Sequence, residues 1–168
     1  MFDFSESVEA RAREFHGQMA ASWEALGEGA PTLAALAGLC AQRLLEPPRD
    51  VALETLSLPS RTILYAARQR GVIEVRGVSS AFEAPARMLA VYVEEDDQRT
   101  IVFRDRERPE VTMKFFEAFC QLCRLGLVMH HLHRDFSLTE RGFQLARQVD
   151  GSEVAEELGQ ATDIGVDA

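Results

Sequence analysis

The sequence has one lysine, one tryptophan, three cysteines and six prolines in 168 residues, and each scarcity removes a class of protein. Three cysteines, Cys40, Cys120 and Cys123, cannot build the paired framework of a small secreted domain, which points to a reducing compartment. Few prolines and 46% apolar residues exclude a collagen-like or low-complexity polymer and supply enough material for a core. No stretch reaches the roughly 18 consecutive apolar residues of a membrane span. The start, Met1-Phe2-Asp3-Phe4-Ser5-Glu6, lacks the basic-then-apolar pattern of a secretory leader. The expected location is the cytoplasm, with no membrane partner. Catalytic signatures are missing as well: there is no Gly-x-Ser-x-Gly, no phosphate loop and no His-Glu-x-x-His. His133-Arg134-Asp135 imitates a kinase triplet but has Glu140 where that pattern needs asparagine. A non-enzymatic binding protein without a cofactor is the expectation.

Positive charge is scarce overall and unevenly placed. Acidic residues number 27 against 18 basic ones, a net charge of −9 that argues against coating nucleic acid through bulk charge. By region, residues 1–98 carry −6, residues 99–149 carry +3 and residues 150–168 carry −6. Because Lys114 is the only lysine and alanine is abundant, the arginine count reflects a coding bias, and an arginine's position says more than the number.

Periodicity gives an α+β protein, mainly helical. Phe4, Val8, Ala12, Phe15, Met19, Trp23 and Leu26 form an apolar stripe on a first helix, and Thr32 to Leu45 reads as a second that stops at Pro47-Pro48. A short helix follows from Asp50 to Leu56. Ser57 and Pro59 open a helix to Arg70, closed by Gly71, and Val72 to Arg76 is a strand. Met88–Glu94 and Thr100–Arg104 form a hairpin around the acidic turn Glu95-Asp96-Asp97-Gln98. A helix from Glu110 to Leu125 ends at Gly126, a strand pair spans Leu127 to Leu138, and Thr139 caps a helix to Val149. The expected units are an N-terminal helical segment (1–48), a degenerate winged-helix-like unit (49–108), a winged-helix-like C-terminal half (109–149) and an acidic, disordered tail (150–168).

Arg124-Leu125-Gly126-Leu127-Val128, the hairpin after it, and Phe136-Ser137-Leu138-Thr139-Glu140-Arg141-Gly142 resemble the end of a winged helix-turn-helix domain of small bacterial transcription regulators. There a helix ends at glycine, a two-stranded wing follows, and a closing helix opens with Leu-Thr-x-x-Gly. Ile63 to Ile73 repeats the order of helix, glycine and strand, which makes tandem units an expectation. Helix 110–125 follows a strand directly, so the downstream unit lacks its own helix-turn-helix. Glu94 to Asp97 would set four carboxylates against phosphate, a poor wing for DNA.

The resemblance implies binding to double-stranded DNA, with helix Pro59 to Arg70 as recognition helix and Arg61, Arg68, Arg70, Arg134 and Arg141 as contacts. The alternative is a protein-interaction module built on winged-helix units, a reading the acidic surfaces favour. The N-terminal stripe suits a core or a homodimer contact. Cys120 and Cys123, with His131 and His133 behind them, are the only residues of metal-ligand type that cluster. They sit on an apolar helical run where cysteine is commonly a buried hydrophobe, so no metal is expected.

Overall fold

The computed structural model describes residues 10–11, 13–14, 30–77 and 81–165. Every residue of the N-terminal stripe, and with it the homodimer contact expected there, lies outside the described residues. In chain order the elements are α1 (Ala30–Leu45), α2 (Leu58–Ala66), β1 (Val72–Arg76), α3 (Ala84–Arg87), β2 (Ala90–Glu94) and β3 (Arg99–Phe103). They continue with α4 (Pro109–Arg124), β4 (Val128–Leu132), β5 (Asp135–Leu138), α5 (Glu140–Ala146), α6 (Gly151–Leu158) and β6 (Thr162–Gly165). The chain is an α+β protein.

The strands form one antiparallel sheet in the order β4-β5-β1-β2-β3-β6. Two rows of buried side chains set its register. Phe136, Ile73, Val93 and Ile101 stand opposite one another across β5, β1, β2 and β3, and Val75, Val91 and Phe103 form a second row across β1, β2 and β3. Side chains alternate between faces, so a one-residue slip of any strand would turn its share of these rows out of the core. Helix α4 lies on this face through its phenylalanines. Phe115 packs at a tilt against Phe103, ring centroids 4.6 Å apart, and Phe119 meets Phe136 edge-on at 5.0 Å. Ala90, Tyr92 and Val102 make a smaller buried cluster on the other face, where the Arg76 guanidinium lies 4.2 Å from the Tyr92 ring.

Helix α2 is the central helix, in contact with α4, α5 and α6. Ser57 caps it by accepting from the Ser60 amide, and Ser60 Oγ lies 2.6 Å from Gln121 Oε1, tying α2 to α4. The helix is shorter than expected. It stops at Ala66: the Ala67 amide still makes the helical bond to the Ile63 carbonyl, but the Arg68 amide turns to the Tyr65 carbonyl three residues back and the chain tightens toward Gly71, whose φ is +69°. Arg68 and Arg70 therefore lie on a turn and not on a helix face.

Two further expectations change. The sheet crosses the boundary at 108/109, since β1 pairs with β5, and the boundary at 149/150, since β3 pairs with β6. The disordered tail is corrected through residue 165: Asp150 caps α6 through the Ser152 amide at 3.0 Å, and Val154 is fully buried against the core. Low apolar content misled here, because one well-placed valine and a cap hold this two-turn helix on α2.

The Leu-Thr-x-x-Gly pattern acquires a structural cause. Leu138 is buried, and Thr139 accepts from the Gly142 amide while donating to the Gly126 carbonyl at 3.0 Å. A Cβ on Gly142 would stand 2.3 Å from the Leu127 carbonyl oxygen. Thr139→Ala is expected to lower the unfolding free energy in urea by about 1–2 kcal/mol, the usual cost of a lost cap. Gly142→Ala is expected to cost more, since the obstructing atom is backbone. Val154→Ala is expected to cost about 2 kcal/mol as a core truncation; an unchanged urea midpoint would place α6 outside the cooperative fold.

Candidate functional site

Each of the five arginines expected at DNA faces a carboxylate. Arg61 pairs with Glu153 of α6. Arg68 packs over the Tyr65 ring at 3.9 Å, donates to the Tyr65 carbonyl at 2.7 Å and lies 3.6 Å from Glu95. Arg70 stands 3.6 Å from Glu94 and also pairs with Asp97. Arg134 reaches Glu74 at 2.8 Å, and Arg141 reaches Asp50 at 3.3 Å while donating to the Val51 carbonyl at 3.0 Å. Partly exposed pairs of this kind add about 0–1 kcal/mol each to stability. Their larger effect is to cancel the positive potential that draws a phosphate backbone. The acidic β2–β3 turn is thus the counter-charge of the turn after α2.

Helix α2 is also poorly placed to read bases. Ser60, Thr62, Ile63, Leu64 and Ala66 are buried, and α4, α5 and α6 pack around it.

An open surface of different chemistry runs past the C-terminal turn of α1. One hollow of about 420 Å³ is bounded by Arg43, Leu44, Pro47, Pro48, Leu125 and Gln144 among others. A neighbouring hollow of about 660 Å³ shares Arg43, Arg49 and Leu125 with it and continues along α4 past Gln121 and Arg124. Leu44, which lines the first hollow, is 49% exposed, and Leu45, the next residue, is 89% exposed. Arg43 and Arg49 share one carboxylate, Glu46, at 2.7 and 3.3 Å, so the pair retains positive charge. The groove combines apolar groups with basic side chains and with the carboxylates Glu46, Glu117 and Glu140, and its excess of basic groups suits a peptide carrying both apolar and acidic side chains. Its signal in the sequence was the Leu44-Leu45 pair before Pro47-Pro48, beyond the apolar positions of α1 that enter the core.

The cysteines and histidines separate. Cys123 is buried on α4 and Cys40 on α1, while Cys120 is partly buried one turn before Cys123. His131 and His133 are on the β4–β5 hairpin, where His131 Nε2 lies 2.7 Å from Ser137 Oγ. Among the described residues no three His, Cys, Asp or Glu side chains are arranged to hold a metal ion. His133-Arg134 forms the turn of the hairpin, with His133 at φ +48°. No helix of the described residues is long and apolar enough to cross a membrane.

No protein-family model, no curated protein and no solved structure matches the chain.

On the hairpin, His130 has a displaced titration. It stands opposite Phe136, ring to ring at 5.0 Å, and partial burial holds its pKa below the ordinary 6.5 although its Nε2 is 2.7 Å from the His133 carbonyl. Burial favours the neutral ring, so its contribution to stability is present above the ordinary value and is lost as the pH falls through the lowered one. Proton NMR titration is expected to give His130 a midpoint below 6.5; a midpoint at or above it would mean that the ring faces water.

Proposed function

We propose that the chain is a protein-binding module built on a winged-helix-like unit, with the groove beside the C-terminal turn of α1 as its docking surface. The observation that carries this reading is the pairing of Arg61, Arg68, Arg70, Arg134 and Arg141 with carboxylates of the same chain. A surface that binds duplex DNA holds its cations ready for phosphate, and here those cations are already engaged. The winged-helix resemblance is supported by α4 ending at Gly126, the β4–β5 hairpin and α5 capped by Thr139. The upstream helix and strand, α2 and β1, belong to the same unit in this reading, because β1 is the strand beside β5.

The partner surface that fits the groove offers an apolar side chain to Leu44 and Leu45 and carboxylates to Arg43 and Arg49. Titration of random duplex DNA by fluorescence anisotropy at low salt is the decisive measurement. No binding is expected. Affinity that falls steeply with salt and is lost in Arg68→Ala/Arg134→Ala would overturn the proposal in favour of a DNA-binding regulator. In a pull-down from nuclease-treated source lysate, Leu45→Asp/Arg49→Glu is expected to reduce recovery of the bound protein at least tenfold, a loss of about 1.4 kcal/mol.

A further inference from the structure

A third hollow lies at the β3–β6 edge of the sheet, the edge away from β4. It measures about 580 Å³, within the range of small-molecule sites. The turn from β3 into α4 supplies Arg104, Asp105, Arg106 and Arg108 to it, and the turn from α6 into β6 faces them with Gln160. The one carboxylate among these groups is already engaged. Asp105 accepts the Glu107 amide at 2.9 Å, the Arg108 amide at 3.0 Å and Arg108 Nε at 3.0 Å. Its own amide donates to Oγ1 of the fully buried Thr112 at 3.0 Å, so the turn is anchored on α4.

The arginines are engaged far less. Arg104, half-buried, and Arg106, exposed, flank Asp105 in the chain yet make no ion pair among the described residues. Arg108 meets Asp105 through Nε, which leaves its two terminal amino groups as donors. Gln160 accepts from Lys114 Nζ through Oε1 at 2.6 Å, so its amide N–H groups are donors as well. Glu107 and Glu110, the next acids along the chain, are not part of the lining. Three guanidiniums less one carboxylate give the hollow a charge of +2.

We propose that this hollow binds a small phosphomonoester, with Arg104 and Arg106 as its main phosphate ligands and Arg108 and Gln160 as further donors. A phosphomonoester carries a charge of about −1.5 to −2 at neutral pH, which matches the balance of the hollow. A phosphodiester or a carboxylate carries one negative charge and matches it less well. Arginine suits the task because it stays protonated and its planar fork gives two parallel hydrogen bonds to phosphate oxygens. Anchoring of the turn adds to this, since donors already held in place lose little freedom on binding. The arginines that face carboxylates elsewhere on the chain would first have to break an ion pair, whereas Arg104 and Arg106 have none to break.

The test is a heteronuclear NMR titration of the full-length chain with inorganic phosphate, glycerol phosphate and dimethyl phosphate, each against sodium chloride at equal ionic strength. Saturable shifts of the amides of residues 104–108 and 159–162 are expected with inorganic phosphate and with glycerol phosphate. Dimethyl phosphate, a diester, is expected to bind roughly tenfold more weakly or worse. Arg104→Gln/Arg106→Gln is expected to weaken glycerol phosphate binding roughly tenfold or more with the melting temperature unchanged. No saturable shift beyond the chloride control, shifts centred on Arg43 and Arg49, binding of inorganic phosphate without the ester, equal affinity for dimethyl phosphate, or full affinity in the double variant would each overturn the proposal. The wild-type titrations decide this even where the variant does not fold.

Discussion

The two apolar rows across the sheet are the constraint on which the rest of the structure depends. With Phe136, Ile73, Val93 and Ile101 in line, β5 must lie beside β1 with Asp135 opposite Glu74. That register brings the hairpin turn against β1, where the Arg134 carbonyl accepts the Val75 amide and the Arg134 side chain reaches Glu74. The same row holds the β2–β3 hairpin so that its acidic turn meets Arg68 and Arg70. The surface ion pairs are thus a consequence of core packing. Each is too weak to hold the strands itself, whereas fully burying one isoleucine or phenylalanine contributes about 1.5–3 kcal/mol.

This dependence changes what the charge pattern means. Counted along the chain, Glu94 to Asp97 repel phosphate and Arg61, Arg68 and Arg70 attract it. Folded, Glu94, Glu95 and Asp97 stand beside Arg68 and Arg70, so both features largely disappear from the long-range field. The acid of the C-terminal segment is partly used in the same way. Glu153 meets Arg61, and Glu157 lies 2.9 Å from Lys114 on α4.

Local signals in the sequence matched local structure closely. Val72–Arg76 is a strand as expected, the helix ending at Gly126 is offset by a single residue, and Thr139 caps the closing helix. Each of these rests on a cap, a glycine or a short-range period, which are properties of neighbouring residues. Pairings between distant segments carry no such mark. Nothing near Val72 says that β5 lies beside it. The C-terminal helix lay between these cases. Its Asp150 cap and the buried Val154 are local features, yet the run of acid around them has the composition of a disordered tail. Of the candidate site, the arginines were legible as residues and their partners were not, because charge pairing depends on the register of the sheet.

Helix α1 carries one wall of the groove. It packs on α4 and β4, and its seat is fixed by the Arg43–Arg124 hydrogen bond close to Cys40 and Cys123. Its last turn carries Arg43 and Leu44, which line the groove, and Leu45 beside them. In the proposed reading, a partner that contacts this turn together with Leu125 bridges the two helices that the Arg43–Arg124 hydrogen bond joins.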